Sequence, residues 1–119
     1  MTPRAYADYL RDILDAISKI QRFVVGVTLD DFVKDDEKTY AVVHALEIIG
    51  EAAKQIPASE RKRYSQIPWR EIAGMRDKIA HQYFGINRYL VYQTVQTDLP
   101  LLESIVIQML ADFEDAQSL

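Results

Sequence analysis

The stretch Ala41-Val42-Val43-His44-Ala45-Leu46-Glu47-Ile48-Ile49-Gly50-Glu51-Ala52-Ala53-Lys54-Gln55-Ile56 is apolar round most of a helical circumference. Val42, Leu46, Ile49, Ala53 and Ile56 fall on one helical face, and Ala41, Ala45, Ile48 and Ala52 line another. A helix with two apolar faces is either the central member of a bundle or meets a second subunit. Gly50 in its interior costs about 1 kcal/mol relative to alanine, so its presence predicts another backbone passing close by. Asp35 or Asp36 suits the N-cap of this helix, and Pro57 stops it after about Gln55.

Working outward, every long segment has the helical period. In residues 3–25, Tyr6, Leu10, Ile13, Leu14, Ile17, Ile20 and Val24 form one stripe, with Pro3 suited to a first turn and Gly26 to the residue past the end. A short helical turn is expected around Leu29 to Val33. Beyond the central helix, Ser59 is a candidate cap for a brief basic helix from Glu60 to Tyr64. Pro68 then opens a third major helix reaching His81 or Tyr83, with Trp69, Ile72, Ala73, Met75 and Ile79 inward and Gly85 ending it. Asn87 suits the cap of the last helix, which runs to about Glu114 through Tyr89, Val91, Val95, Leu99, Leu102, Ile105, Val106, Met109, Leu110 and Phe113. Pro100 must kink or split that helix near Thr97, because its ring removes a donor and clashes one turn back. No alternating strand pattern or repeat occurs. The expected architecture is an all-α, up-and-down bundle of four to five helices, a single domain over residues 1–119.

The bounds set by composition agree with this. The chain has 119 residues, 49% hydrophobic and 27% charged, with four glycines and four prolines. No apolar run approaches the roughly 20 residues of a membrane span, and the N-terminus lacks the apolar block of a secretion signal. The absence of cysteine rules out disulfides, thiolate metal sites and a cysteine nucleophile. A cytoplasmic address is the expectation, with no membrane partner. The net charge of −4 hides an asymmetry: Lys54 to Arg88 holds eight basic residues against three acids, a net of +5, leaving −9 for the rest. Such a distribution can present a polyanion site on an acidic protein; ordinary solvated helix surface is the alternative.

The chemistry concentrates in Arg76-Asp77-Lys78-Ile79-Ala80-His81-Gln82-Tyr83. Arginine grips phosphate with a bidentate fork, and histidine takes and gives a proton near neutral pH. Together they suffice, without metal or cofactor, to cleave a phosphodiester whose own 2′-hydroxyl is the nucleophile, which means RNA. Asp77, four residues before His81, shares its face and can fix the ring tautomer. At about 100° per residue, however, His81 lies about 140° round a regular helix from Arg76, while Tyr83 is nearly in line with it. Either the helix loosens near His81, or a two-fold dimer brings Arg76 and His81 of both copies to one cleft. The two-faced central helix favours the dimer. Lys78 and Arg70 are candidate contacts to RNA backbone. His44 reads as a satisfied core or interface residue; His44-x-x-Glu47 has no second copy and makes no metal site. Trp69 reads as a core anchor, Arg61-Lys62-Arg63 as solvated, and Asp112, Glu114 and Asp115 as a frayed acidic end.

The motif resembles the Arg-x4-His of HEPN-domain ribonucleases, and with Gln82-Tyr83 it becomes the Arg-x4-His-x-Tyr form of HepT-like toxins. Tyr9-Leu10-Arg11-Asp12-Ile13-Leu14, Leu46 to Ala53, Ile67-Pro68-Trp69 and Gly74-Met75-Arg76-Asp77 resemble that family's blocks in the family's order, so the likeness covers nearly the whole chain. The resemblance implies a homodimeric, metal-independent endoribonuclease toxin of a type VII-like toxin–antitoxin system. Arg76 and His81 are then catalytic and Asp77 supports them. It also implies a partner, an MntA-type nucleotidyltransferase antitoxin that AMPylates Tyr83. A second reading stays open: a non-catalytic helical dimer that binds nucleotide or a nucleotidyltransferase, with Arg76 and His81 as phosphate ligands only.

Overall fold

The central helix of the sequence is also the centre of the structure. The computed structural model describes residues 5–79 and 86–118, the side chains of Lys78 and Ser118 excepted. In chain order the described helices are α1 (Tyr6–Val24), α2 (Leu29–Lys34), α3 (Asp36–Lys54), α4 (Ala58–Arg63), α5 (Trp69–Ala73), α6 (Met75–Ile79), α7 (Arg88–Thr97) and α8 (Leu99–Ser118). The described chain is all-α. Helix α3 packs against α1, α2, α5, α6 and α7, while α8 closes the bundle on α1 and α7.

Asp35 starts α3, its carboxylate accepting the Lys38 amide at 3.0 Å. The face of Val42, Leu46, Ile49, Ala53 and Ile56 is fully buried, and Leu10, Ile13, Ile17 and Ile20 of α1 meet it in one core. Burial of each such large side chain contributes about 1.5–3 kcal/mol. The second face of α3 is only half covered. Ala45 and Ala52 are buried, but Ile48 is 38% exposed. Between α1 and α2 the chain reverses through Gly26 at φ +70°, a left-handed conformation that a side chain would strain. Phe32 of α2 is buried against Tyr92, whose hydroxyl donates to the Val27 carbonyl at 3.0 Å.

Pro100 splits the last helix as its chemistry requires. Helix α7 ends at Thr97, and α8 restarts at Leu99, which places the proline in a first turn where its missing N–H is tolerated. Asn87 caps α7, accepting the Leu90 amide at 3.1 Å.

Four expectations need correction. The third major helix is not continuous: it breaks at Gly74 into α5 and α6, where the Gly74 amide donates to the Arg70 carbonyl at 3.0 Å. Its expected end at His81, Tyr83 and Gly85 lies outside the described residues. Ser59 does not cap α4, which starts one residue earlier behind Pro57 with no side-chain cap. Tyr89 is 64% exposed rather than inward. Asp112 is not part of a frayed end, because α8 runs on to Ser118 and the Asp112 carboxylate accepts from the Tyr64 hydroxyl and from Gln108.

Trp69 is the core anchor its sequence position suggested, buried with its indole N–H donating to the Tyr64 carbonyl at 3.0 Å. Among the described residues no helix is long and apolar enough to cross a membrane.

Candidate phosphate-binding site

Gly50 positions the site. A Cβ there would lie 3.1 Å from the Ile72 carbonyl oxygen and 3.5 Å from that of Ala73. Helix α3 therefore touches the end of α5 backbone to backbone, as the glycine predicted. Directly beyond this contact the chain turns at Gly74 and enters α6, which carries Arg76 and Asp77 on its exposed side while Met75 and Ile79 are buried. The result is an open cleft of about 370 Å³ lined by Glu51, Lys54, Ala73, Gly74, Arg76 and Asp77.

The two acids and two cations of this cleft come from two helices. Lys54 Nζ and Glu51 Oε1 are 3.0 Å apart. Among the described residues no carboxylate lies within ion-pair distance of Arg76. Its fork of donors is thus available to an anion in the cleft. Arg70 is exposed on α5 but does not line the cleft. Lys78 lies in α6, though its side chain is outside the described set, as are His81 and Tyr83 entirely. Both routes expected to unite Arg76 with His81, a loosened helix and a second subunit, depend on a residue outside those described.

Elsewhere in the basic window, several cations are already engaged. Arg61 Nε donates to the Ile56 carbonyl at 2.9 Å, closing the end of α3 rather than remaining solvated. Arg63 lies 3.7 Å from Glu60 and over the Tyr64 ring. Arg88 donates to the Val33 carbonyl and pairs with Asp36 at 2.6 Å. The local positive charge available to a ligand is correspondingly smaller than the sequence count of +5.

A second groove of about 480 Å³ runs between α1 and α3, lined by Tyr9, Asp12, His44, Glu47, Ile48, Glu51, Ala52 and Gln55. It meets the Arg76 cleft at Glu51. His44, expected as a core or interface residue, is not in the core: it is exposed along this groove. Among the described residues no group of three or more potential ligands is placed to hold a metal ion.

Glu51 and Lys54 are the members of the cleft that reading the motif alone missed. Their signal was Gly50: a helix that approaches another backbone at one residue presents the next turn to the same neighbour.

The family described as Ribonuclease HepT-like matches residues 13–109, and the chain belongs to this HepT-like ribonuclease family. A protein of Caldanaerobacter subterraneus subsp. tengcongensis named "Putative RNase TTE0752" is 44% identical over 109 residues, covering 92% of this chain and 95% of its own. "Probable ribonuclease HepT" of Thermococcus cleftensis is 45% identical, over 84% of this chain and 91% of its own. "Putative RNase MJ1216" of Methanocaldococcus jannaschii is 38% identical, over 96% and 94% respectively. No solved structure matches the chain.

Proposed function

We propose that this protein is a cytoplasmic, metal-independent endoribonuclease toxin, acting as one domain and as a homodimer. The observation that carries this reading is the exposed Arg76 guanidinium in an open cleft, in a chain of the HepT-like ribonuclease family. Arg76 grips the scissile phosphate and stabilises the charge that develops on its oxygens. His81 accepts the proton of the ribose 2′-hydroxyl, whose oxygen then bonds to phosphorus as the bond to the 5′-oxygen breaks. The leaving 5′-oxygen takes a proton from a general acid, a role the second subunit's copy of the same histidine can fill. The products are a 2′,3′-cyclic phosphate and a 5′-hydroxyl end. Asp77 orients the imidazole, and Lys78 and Arg70 contact RNA backbone.

Tyr83 is the modification site. An MntA-type nucleotidyltransferase transfers AMP from ATP to its hydroxyl, the phenol oxygen bonding to the α-phosphorus as pyrophosphate leaves and the phenol proton is lost. The anionic adduct occupies the place of the substrate phosphate and competes for Arg76. Neutralisation then needs no unfolding.

The test is His81→Ala. Cleavage of an RNA substrate should be lost, by about 10²-fold or more for removal of a general acid or base, with helicity and oligomeric state unchanged. Parent activity should persist in EDTA. Cleavage that survives the substitution, or that requires added Mg²⁺, refutes the mechanism. Mass spectrometry after co-expression with the nucleotidyltransferase should place AMP on a peptide containing Tyr83; adducts confined to other peptides would refute that assignment.

A further inference from the structure

We infer that Lys54 is a second phosphate-binding cation of the Arg76 cleft, and that Glu51 holds it until an RNA backbone phosphate takes the carboxylate's place. This rests on the reading of the protein as an RNA-cleaving enzyme and extends it to α3, which contributes nothing to the Arg-x4-His motif.

Three observations carry it. Lys54 and Arg76 line the same cleft from different helices. They are brought together by backbone packing, not by a flexible loop: Gly50 sits against the Ile72 and Ala73 carbonyls, and Lys54 follows Gly50 by four residues, about one helical turn. Third, among the described residues Lys54 pairs with Glu51 alone, at 3.0 Å, and the two side chains are 50% and 61% exposed. An exposed pair at this spacing contributes little, so a backbone phosphate held in the cleft by Arg76 as well can displace the carboxylate.

The two cations suit different tasks. The planar fork of Arg76 matches two oxygens of the phosphate undergoing transfer, whereas the Lys54 ammonium is a point charge on a flexible stem and suits backbone phosphate in less fixed geometry. Of the other basic residues in the window, Arg61 and Arg88 are committed to backbone carbonyls, and Arg63 lies beside Glu60 and the Tyr64 ring, outside the cleft. Lys54 is the cation that shares the cleft with Arg76 among those described.

The competing roles of Lys54 and Glu51 make opposite predictions, which a purely structural pair would not. Binding of a fluorescein-labelled single-stranded RNA oligonucleotide is measured by anisotropy across a KCl series, with every variant built on the His81→Ala chain so that the probe stays intact. Lys54→Gln should weaken binding by roughly five- to tenfold and reduce the slope of log K against log salt by about 0.7, the value for one phosphate contact on a single strand. Lys54→Arg should restore both. Glu51→Gln should tighten binding by roughly threefold, because a competing anion is removed. Unchanged affinity and slope in both Lys54→Gln and Glu51→Gln, or weaker binding in both, overturns the inference. Failure of the underlying reading has a separate signature: the Arg76→Ala chain, with His81 intact, would cleave RNA as fast as the parent.

Discussion

Replacing Gly50 by alanine tests the backbone contact that builds the cleft. Intrinsic helix propensity alone predicts that this change in the interior of α3 stabilises the protein by about 1 kcal/mol. The structure predicts the reverse. The new Cβ would stand 3.1 Å from the Ile72 carbonyl oxygen, 3.5 Å from that of Ala73 and 3.8 Å from Met75 Cβ. The nearest neighbour is backbone, in the turn that the Gly74 amide closes on the Arg70 carbonyl, so it cannot swing aside as a side-chain tip could. Overpacking of this kind costs about 1–3 kcal/mol. Taking about 2 for the overpacking against the propensity gain leaves a net loss of about 1 kcal/mol, or roughly 4 °C in Tm for a chain of this size. Urea denaturation at a fixed protomer concentration should show the midpoint falling with an unchanged slope. Because α5 and α6 must shift away from α3, Arg76 moves relative to Lys54, and RNA cleavage should fall by roughly tenfold or more, given the steep dependence of catalysis on positioning. A Gly50→Ala protein as stable as the parent, with full activity, would refute the argument that this glycine sets the position of the site.

Two further predictions concern stability. Asp35→Ala removes the carboxylate that accepts the Lys38 amide at the start of α3 and should cost about 1 kcal/mol in urea denaturation; an unchanged midpoint would show that another group satisfies that amide. Burial, followed by its hydrogen bond to Asp112, pushes the Tyr64 phenol up to about 12. The unfolded phenol ionises near 10, so stability from this group is intact below pH 10 and lost as pH rises towards 12. The hydrogen bonds from Tyr64 and then Gln108 hold Asp112 below its ordinary value of 3.8, so its contribution is present above that pH and lost below it. Tyr64→Phe should flatten the alkaline limb of the parent's stability profile and reduce the acid one; superimposable profiles would refute the coupling.

The order of helices, a cap at Asp35 or Asp36 and one at Asn87, the helix end at Gly26 and a kink or split before Pro100 were legible in the sequence because each depends on local chemistry: a side-chain acceptor, a missing Cβ, a missing amide hydrogen. The centrality of α3 was legible too, since a helix apolar on two faces must be covered on more than one side. The motif named Arg76 and Asp77, but not what faces them. Nothing local announces that the helix expected from Pro68 breaks at Gly74, a position compatible with either outcome until α3 presses on the Ile72 and Ala73 carbonyls. Nor does spacing along the chain place Glu51 and Lys54 opposite Arg76, more than twenty residues away in sequence; only the packing of α3 on α5 and α6 does that. The same holds for charge. Sequence counts cations, whereas tertiary structure assigns Arg61, Arg63 and Arg88 to carbonyls, carboxylates and a ring, and leaves Arg76 facing the cleft. Local residue chemistry thus determined which helices form, and the long-range approach of backbones decided which charges meet.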